Sequence, residues 1–522
     1  QALFGEGASF YGATIEGDLD LSQTTIHGGL NLQNITVDGD LLLRGATIKG
    51  DLELENAEIT GELDLKYATI EGSVRAHETH TDTVVLFSTH LVGPWISAKH
   101  EVGTLEWINS RFESSIILEN CTIHDSFKSI EVTIEEGIRW YRTTAEGSVE
   151  FTDSQFKHVS AFFEGAVHGS FNVRHSDMGH HLWLRDINID KNVVLGGTEL
   201  GSYPLLQDIE IGGDLLASSA NSSGVLRFTD VEIGGDTKLT DLAVEEHLEF
   251  RSCTFSSEVD LGKSVVNEYI QFQDGTFESS LAARNSRIGR NFEIAGCEFS
   301  DKIDLTGARI GTLFLNEETV TESLILEKAH VTDRTAVLSG ITVHQTLSLN
   351  GANFHQGLQM ASACVGEFSM KDIEVSGPLI GKNLTVGRSS RGGEFLAADA
   401  RISGELQLED ATINGELDLE NATVKRKINT DQLRVTDTFS LSNAHLGDEV
   451  RGKGMTVGDM NLTGAMFESA VLFNMATIRG DIDGSKITSA GSNITFFQSR
   501  IHGKVSFSNA DLVGDLIMTG CQ

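Results

Sequence analysis

Two dense histidine groups are the first places where this sequence could gather metal ligands. His77 and His80 stand with Asp82 in HETHTD, and His175, His180 and His181 stand in RHSDMGHH. Zinc needs three or four imidazole, thiolate or carboxylate groups converging in one geometry. No HExxH pair occurs and the cysteines lie elsewhere, so these read as surface histidines, with metal binding as the alternative. His158 lies 22 residues before His180 and would be its neighbour in a stacked fold. Carboxylates form a second group: Asp18, Asp40 and Glu62, with Asp20 and Asp64, and on the opposite face Asp51 with Glu53. Columns of oxygen ligands could bridge Ca²⁺, but there is no EF-hand loop and no GGxGxDxxx repeat. The expectation is a solvated acidic surface whose like charges block lateral aggregation, and no cofactor other than Ca²⁺ is suggested.

Other chemistry is scarce. The sequence has no GxSxG, no P-loop and no GxGxxG between a strand and a helix, so no catalytic residue is assigned. All four tryptophans, Trp95, Trp107, Trp140 and Trp183, fall between 77 and 200 together with ten of the 17 histidines. Tryptophan is favoured at interfaces, which makes these four candidate contact residues; the plainer reading is aromatic packing around a bulge or inserted loop. Sequons at Asn34, Asn120, Asn221, Asn383, Asn421, Asn461 and Asn493 would be glycan sites in a secreted chain. Cys121, Cys253, Cys297 and Cys521 take a slot otherwise held by Ala and read as small buried hydrophobes. Five cysteines in 522 residues define no disulfide framework.

The elements that position these residues come from a repeat. Residues 17 to 70 read GDLDLSQTTIH, GGLNLQNITVD, GDLLLRGATIK, GDLELENAEIT and GELDLKYATI, and the pattern returns at 404 to 424 as GELQLEDATIN and GELDLENATV. In the consensus G-x-L-x-L-x-x-A-x-I-x, Leu-x-Leu and Ala-x-Ile each put two apolar side chains on one face of a short strand. Neither segment can satisfy its backbone alone; stacking on the next turn does so. Cys253, Gly275 and Cys297 hold one slot at 22-residue spacing, so two units make a coil with four sides and eight inward side chains. The chain then gives roughly 24 coils, each adding about 4.8 Å of stack. Glycine at 17, 28, 39, 50 and 61 is expected to supply the unusual dihedrals of a corner. Only three prolines occur, as a ladder that needs every N–H requires.

The small-x-large and Leu-x-Leu pairs of GATIEGDLDL, GATIKGDLEL and DATINGELDL resemble the divergent members of the pentapeptide-repeat family. The resemblance implies a right-handed, quadrilateral β-helix. It carries over no catalytic residue, because the family shares none. Strict five-residue spacing would make a shorter coil, whereas here the units alternate five and six.

One all-β solenoid is therefore expected over 1–522: regular repeats over 1–76, degenerate His- and Trp-rich coils with room for loops over 77–200, and moderately regular repeats over 201–522. The sequence begins at Gln1 and stops at MTGCQ in mid-pattern without a visible cap, so a segment of a longer or processed chain, or ends that pair with neighbours, is expected. The net charge of −37 argues against direct binding to nucleic acid or an anionic membrane, and no apolar run is long enough for a membrane-spanning helix. These features point to a non-enzymatic structural protein of an extracellular filament, surface layer or adhesin, self-associating end to end or joining other surface proteins. Two alternatives are kept. One is a cytoplasmic acidic DNA mimic of the pentapeptide-repeat type; the other is a carbohydrate-active β-helix enzyme using 77–200.

Overall fold

The computed structural model describes residues 2–316, 319–387, 392–491 and 493–522. Every strand among them pairs in parallel with a strand about one turn away, giving an all-β solenoid of about 23 turns of about 22 residues. No helix occurs among the described residues. A representative turn carries four two-residue strands, Thr36–Val37, Leu41–Leu42, Thr47–Ile48 and Leu52–Glu53. Its inward set is Ile35, Val37, Leu41, Leu43, Ala46, Ile48, Leu52 and Leu54, all essentially inaccessible. The eight inward side chains and four sides expected from the repeat are those observed.

Between the sides the chain turns in a way that the repeat dictates. The amide of Ala46 donates to the carbonyl of Leu43 (3.0 Å) and that of Ala57 to Leu54 (3.1 Å). The residue before each alanine, Gly45 or Asn56, has φ of 62° or 56°, which is the third position of a type II turn. The same left-handed slot returns at Gln23, Asn34 and Tyr67. Asn tolerates this region better than other non-glycine residues, which explains the N-A pairs of the sequence.

The consensus glycine has a different cause from the expected one. Of glycines 17, 28, 39, 50 and 61, only Gly17 has a positive φ. A Cβ on Gly50 would lie 2.5 Å from the Gly29 nitrogen, and one on Gly28 would lie 2.7 Å from the Gly7 nitrogen. Backbones of successive turns approach too closely at this corner for any side chain.

Contacts divide the chain into a unit ending at Asp260 and a unit beginning at Leu261. In the first, one inward ladder runs Leu19, Leu41, Leu63, Val84, Leu105, Phe127, Val149, Phe171, Val193 and Leu215. It passes through 77–200 in nearly even steps, with the strands there stacked turn on turn. In the second, an equivalent ladder runs Leu281, Ile303, Leu324, Leu347, Phe368, Phe395, Leu417 and Phe439. There the step from Phe368 to Phe395 is longer than its neighbours.

Candidate functional site

The acidic columns are built into the stacking. The Asp18 carboxylate accepts the amide of Asp40 (2.9 Å), Asp40 accepts that of Glu62 (2.9 Å), and Asp51 accepts that of Ser73 (2.8 Å). In the second unit, Asp459 accepts the Asp481 amide and Asp481 accepts that of Lys504, both at 2.7 Å. Each carboxylate therefore replaces a missing backbone acceptor at the corner where glycine brings two turns together. Cations are interleaved: Arg75 reaches Asp51 (3.4 Å) and Glu53 (3.9 Å). Asp64, whose side chain is fully buried, bonds Arg44 and lies 3.4 Å from Lys66. Asp20 and Asp64 are separated in their column by Leu42.

The first histidine group is spread over two strands. His77 ends Val74–His77 and faces Glu78 at 3.8 Å, while His80 begins His80–Phe87 and faces Glu101 at 3.2 Å. His80 and Asp82 line an open groove with Glu58, Glu101, His124 and Asp125. In the second group His180 packs on His158 (ring centroids 5.7 Å) and near His181 (6.1 Å). His175 instead occupies a left-handed turn slot. Among the described residues no three His, Cys, Asp or Glu converge closely enough to hold a metal ion.

Three of the four candidate contact tryptophans are core residues, which corrects that expectation for them: Trp95, Trp107 and Trp140 are 1%, 0% and 0% exposed. Each occupies an inward Leu slot. Trp95 stacks in the ladder between Val74 and Ile116, and Trp140 between Leu118 and Phe162. The extra volume is matched by small partners. Trp107 pairs with Ser129 one turn on, and the Trp95 indole N–H donates to Ser97 Oγ (2.7 Å). Phe112 and Phe127 pack on Trp107, and Phe127, Phe151, Phe162 and Phe171 continue the aromatic column. Within this core His100 bonds Thr81 Oγ1 through Nε2 (3.0 Å) and lies 3.4 Å from Ser97 Oγ through Nδ1. Burial, with a smaller contribution from the charge of His80, pushes its pKa down to about 4, so it is a neutral core imidazole.

Trp183 differs. It points outward from Leu182–Ile189, stacks almost parallel on His181 (5.6 Å, 6°) and donates its indole N–H to the Tyr203 carbonyl (3.2 Å). Tyr203 is 54% exposed and packs on the same imidazole at 5.5 Å. Burial and the nearby His180 hold His181 below the usual imidazole range, and its Nδ1 is buried without a hydrogen-bond partner. Trp183, Phe163, Ala161, Val159, Arg139 and Ile117 lie along a groove of about 310 Å³, with Glu136 and Ser115 also lining it. In the outward ladder Ile117, Arg139, Ala161 and Trp183 are successive rungs. Sequence reasoning found only Trp183 of this set, because the others are legible only once the 22-residue frame is carried through the degenerate turns.

The sequon asparagines divide by position. Asn34, Asn120, Asn383 and Asn421 are exposed in left-handed turns. Asn221 is on a strand and bonds Glu199 (2.9 Å). Asn461 and Asn493 accept the amides of Thr463 (3.1 Å) and Asp515 (2.9 Å). None of the five cysteines forms a disulfide among the described residues. Cys121, Cys253 and Cys297 are buried as expected, while Cys521 is half-buried, and burial pushes the Cys297 thiol up to about 11. No helix among the described residues is long and apolar enough to cross a membrane. No protein-family model matches this chain, and no curated protein matches it.

Proposed function

We propose that this protein is a non-enzymatic structural β-solenoid of an extracellular filament, surface layer or adhesin. The observation that carries this reading is the use of its reactive side chains. Corner carboxylates accept amides of the next turn, Cys121, Cys253, Cys297 and His100 fill core slots, and exposed histidines pair with neighbouring carboxylates, as His90 does with Glu113 (2.9 Å) and His445 with Glu468 (2.7 Å). A surface built this way offers repeating contacts rather than a reaction centre. The small-x-large pair on alternate sides supports kinship with the right-handed pentapeptide-repeat helices.

Assembly is supported by the recurrence of outward side chains in register. Thr25, Thr47 and Thr69 stand one above another, so a contact made at one turn is offered again at the next. Electron microscopy of material from the native source tests the reading: ordered filaments or lattices that bind antibodies to this chain are expected. Only dispersed single molecules would overturn it, and inhibition of a topoisomerase by the purified protein would favour the DNA-mimic alternative.

A further inference from the structure

The groove beside Trp183 has features that stacking alone does not require. Outward positions in the regular turns, such as Asp20, Asn31 and Glu53, mostly carry polar side chains. Apolar side chains at outward positions that line a concavity with a few polar groups are, by contrast, a feature of ligand sites. Here the rungs Ile117, Arg139, Ala161 and Trp183 place a methyl group between a guanidinium and an indole. Arg139 and Trp183 are two rungs apart, about 10 Å, and Ala161 with Val159 forms the floor between them. The indole is braced from behind by His181 and pinned through its N–H to the Tyr203 carbonyl, so ordering it for a ligand costs little entropy. Arg227 in the same column is neutralised by Glu249 at 2.8 Å, whereas Arg139 has no ion-pair or hydrogen-bond partner among the described residues.

We propose that this groove binds an acidic pyranose, the uronic-acid residue of a polysaccharide. A pyranose offers a flat C–H face that packs on an aromatic ring, and a carboxylate on the same ring would meet the free guanidinium in a bidentate, charge-assisted pair. The volume of about 310 Å³ lies at the small end of ligand sites and suits one or two rings. Glu136, already accepting the Ser114 hydroxyl (3.0 Å), is placed to accept sugar hydroxyls and disfavours a more highly charged phosphate.

The test is titration of the intact chain with tri-galacturonate and, separately, with its methyl ester, read by tryptophan fluorescence and calorimetry. Trp183 is the one half-buried indole beside three in the core, so saturable quenching reports on this site. Expected results are saturation by the acid, binding weakened about tenfold for the ester, and losses of about tenfold or more in W183A and R139M. R139M should lose the preference for acid over ester, and R227M should bind as the parent does. No saturation at tens of millimolar, equal affinity for acid and ester, or unchanged affinity in W183A or R139M would overturn the proposal. Far-UV circular dichroism confirms that each variant is folded. A negative result leaves the filament reading intact, since that reading depends on assembly and not on this groove.

Discussion

The turns between Gly17 and Ile70 and those between Val74 and Ile189 solve one packing problem with different materials. In the first stretch Leu, Ile, Val and Ala fill a constant cross-section, and every turn resembles the last. In the second, Trp and Phe enter the same inward slots, and a nearby Ser gives the volume back, as Ser129 does one turn beyond Trp107 and Ser97 beside the Trp95 indole. The ladder from Leu19 to Leu215 passes through both without interruption. Strand length changes, with two-residue strands such as Thr47–Ile48 giving way to Glu101–Ile108 and Thr122–Ile130. The lesson is that the constant quantity is volume summed over neighbouring turns, so residue identity can drift while the coil does not.

The sharpest way to break this comparison is to empty one aromatic slot. Trp140→Ala should cost about 3–5 kcal/mol and Leu43→Ala about 2–5 kcal/mol, measured by urea denaturation, with early hydrogen exchange confined to turns adjoining the substitution. Equal loss of protection along the whole unit would show cooperation beyond neighbouring turns. A second contrast is acid sensitivity. His100 is held neutral, with its pKa at about 4 in the fold against about 6.5 unfolded, so the unfolded chain binds the proton first. Its contribution is complete above pH 6.5 and falls away as the pH drops toward 4, about 3 kcal/mol in all. Denaturation at pH 7 and pH 4.5 should show this loss in the parent and a smaller one in H100L; identical pH dependence would contradict it.

Backbone features of the regular turns give smaller effects. Gly50→Ala should cost about 1–3 kcal/mol, because the added carbon meets the Gly29 backbone and must displace it. Asn56→Gly, in a left-handed slot, should change stability by only a few tenths of that. Thermal midpoints compare the two, and a neutral G50A would refute the close-approach explanation. Smallest is the corner acceptor: Asp40→Ala should cost about 1 kcal/mol by stranding the Glu62 amide, while Asp40→Asn keeps the acceptor oxygen and should cost less. If both cost the same, charge rather than the amide bond is what matters there.

Much of the architecture was legible because Leu-x-Leu and Ala-x-Ile recur with an 11-residue spacing that admits few folds. Of the two readings open for the tryptophans, packing holds for Trp95, Trp107 and Trp140, and the sequence could not separate them from Trp183 for a physical reason. A Trp in a Leu slot looks like a surface anomaly unless the small residue one turn away is recognised as its complement. The glycine was located correctly and explained wrongly, since close approach between turns leaves no mark on local sequence. The groove was hardly legible at all: Arg139, Ala161 and Trp183 share nothing except their place in the frame, and that frame had to be followed through turns whose inward residues no longer repeat.

The uneven step length of the ladder carries a consequence for how such a chain changes over generations. The step from Val84 to Leu105 is slightly shorter than that from Leu19 to Leu41, and the step from Phe368 to Phe395 is clearly longer. The ladder thus keeps its pairing across steps of unequal length. Because the two halves of a turn follow the same Leu-then-Ala order, gaining or losing a single 11-residue unit leaves each remaining Leu facing a Leu and each Ile facing an Ile. Genes encoding this protein can therefore lengthen or shorten by unequal recombination between repeats without redesigning the interior.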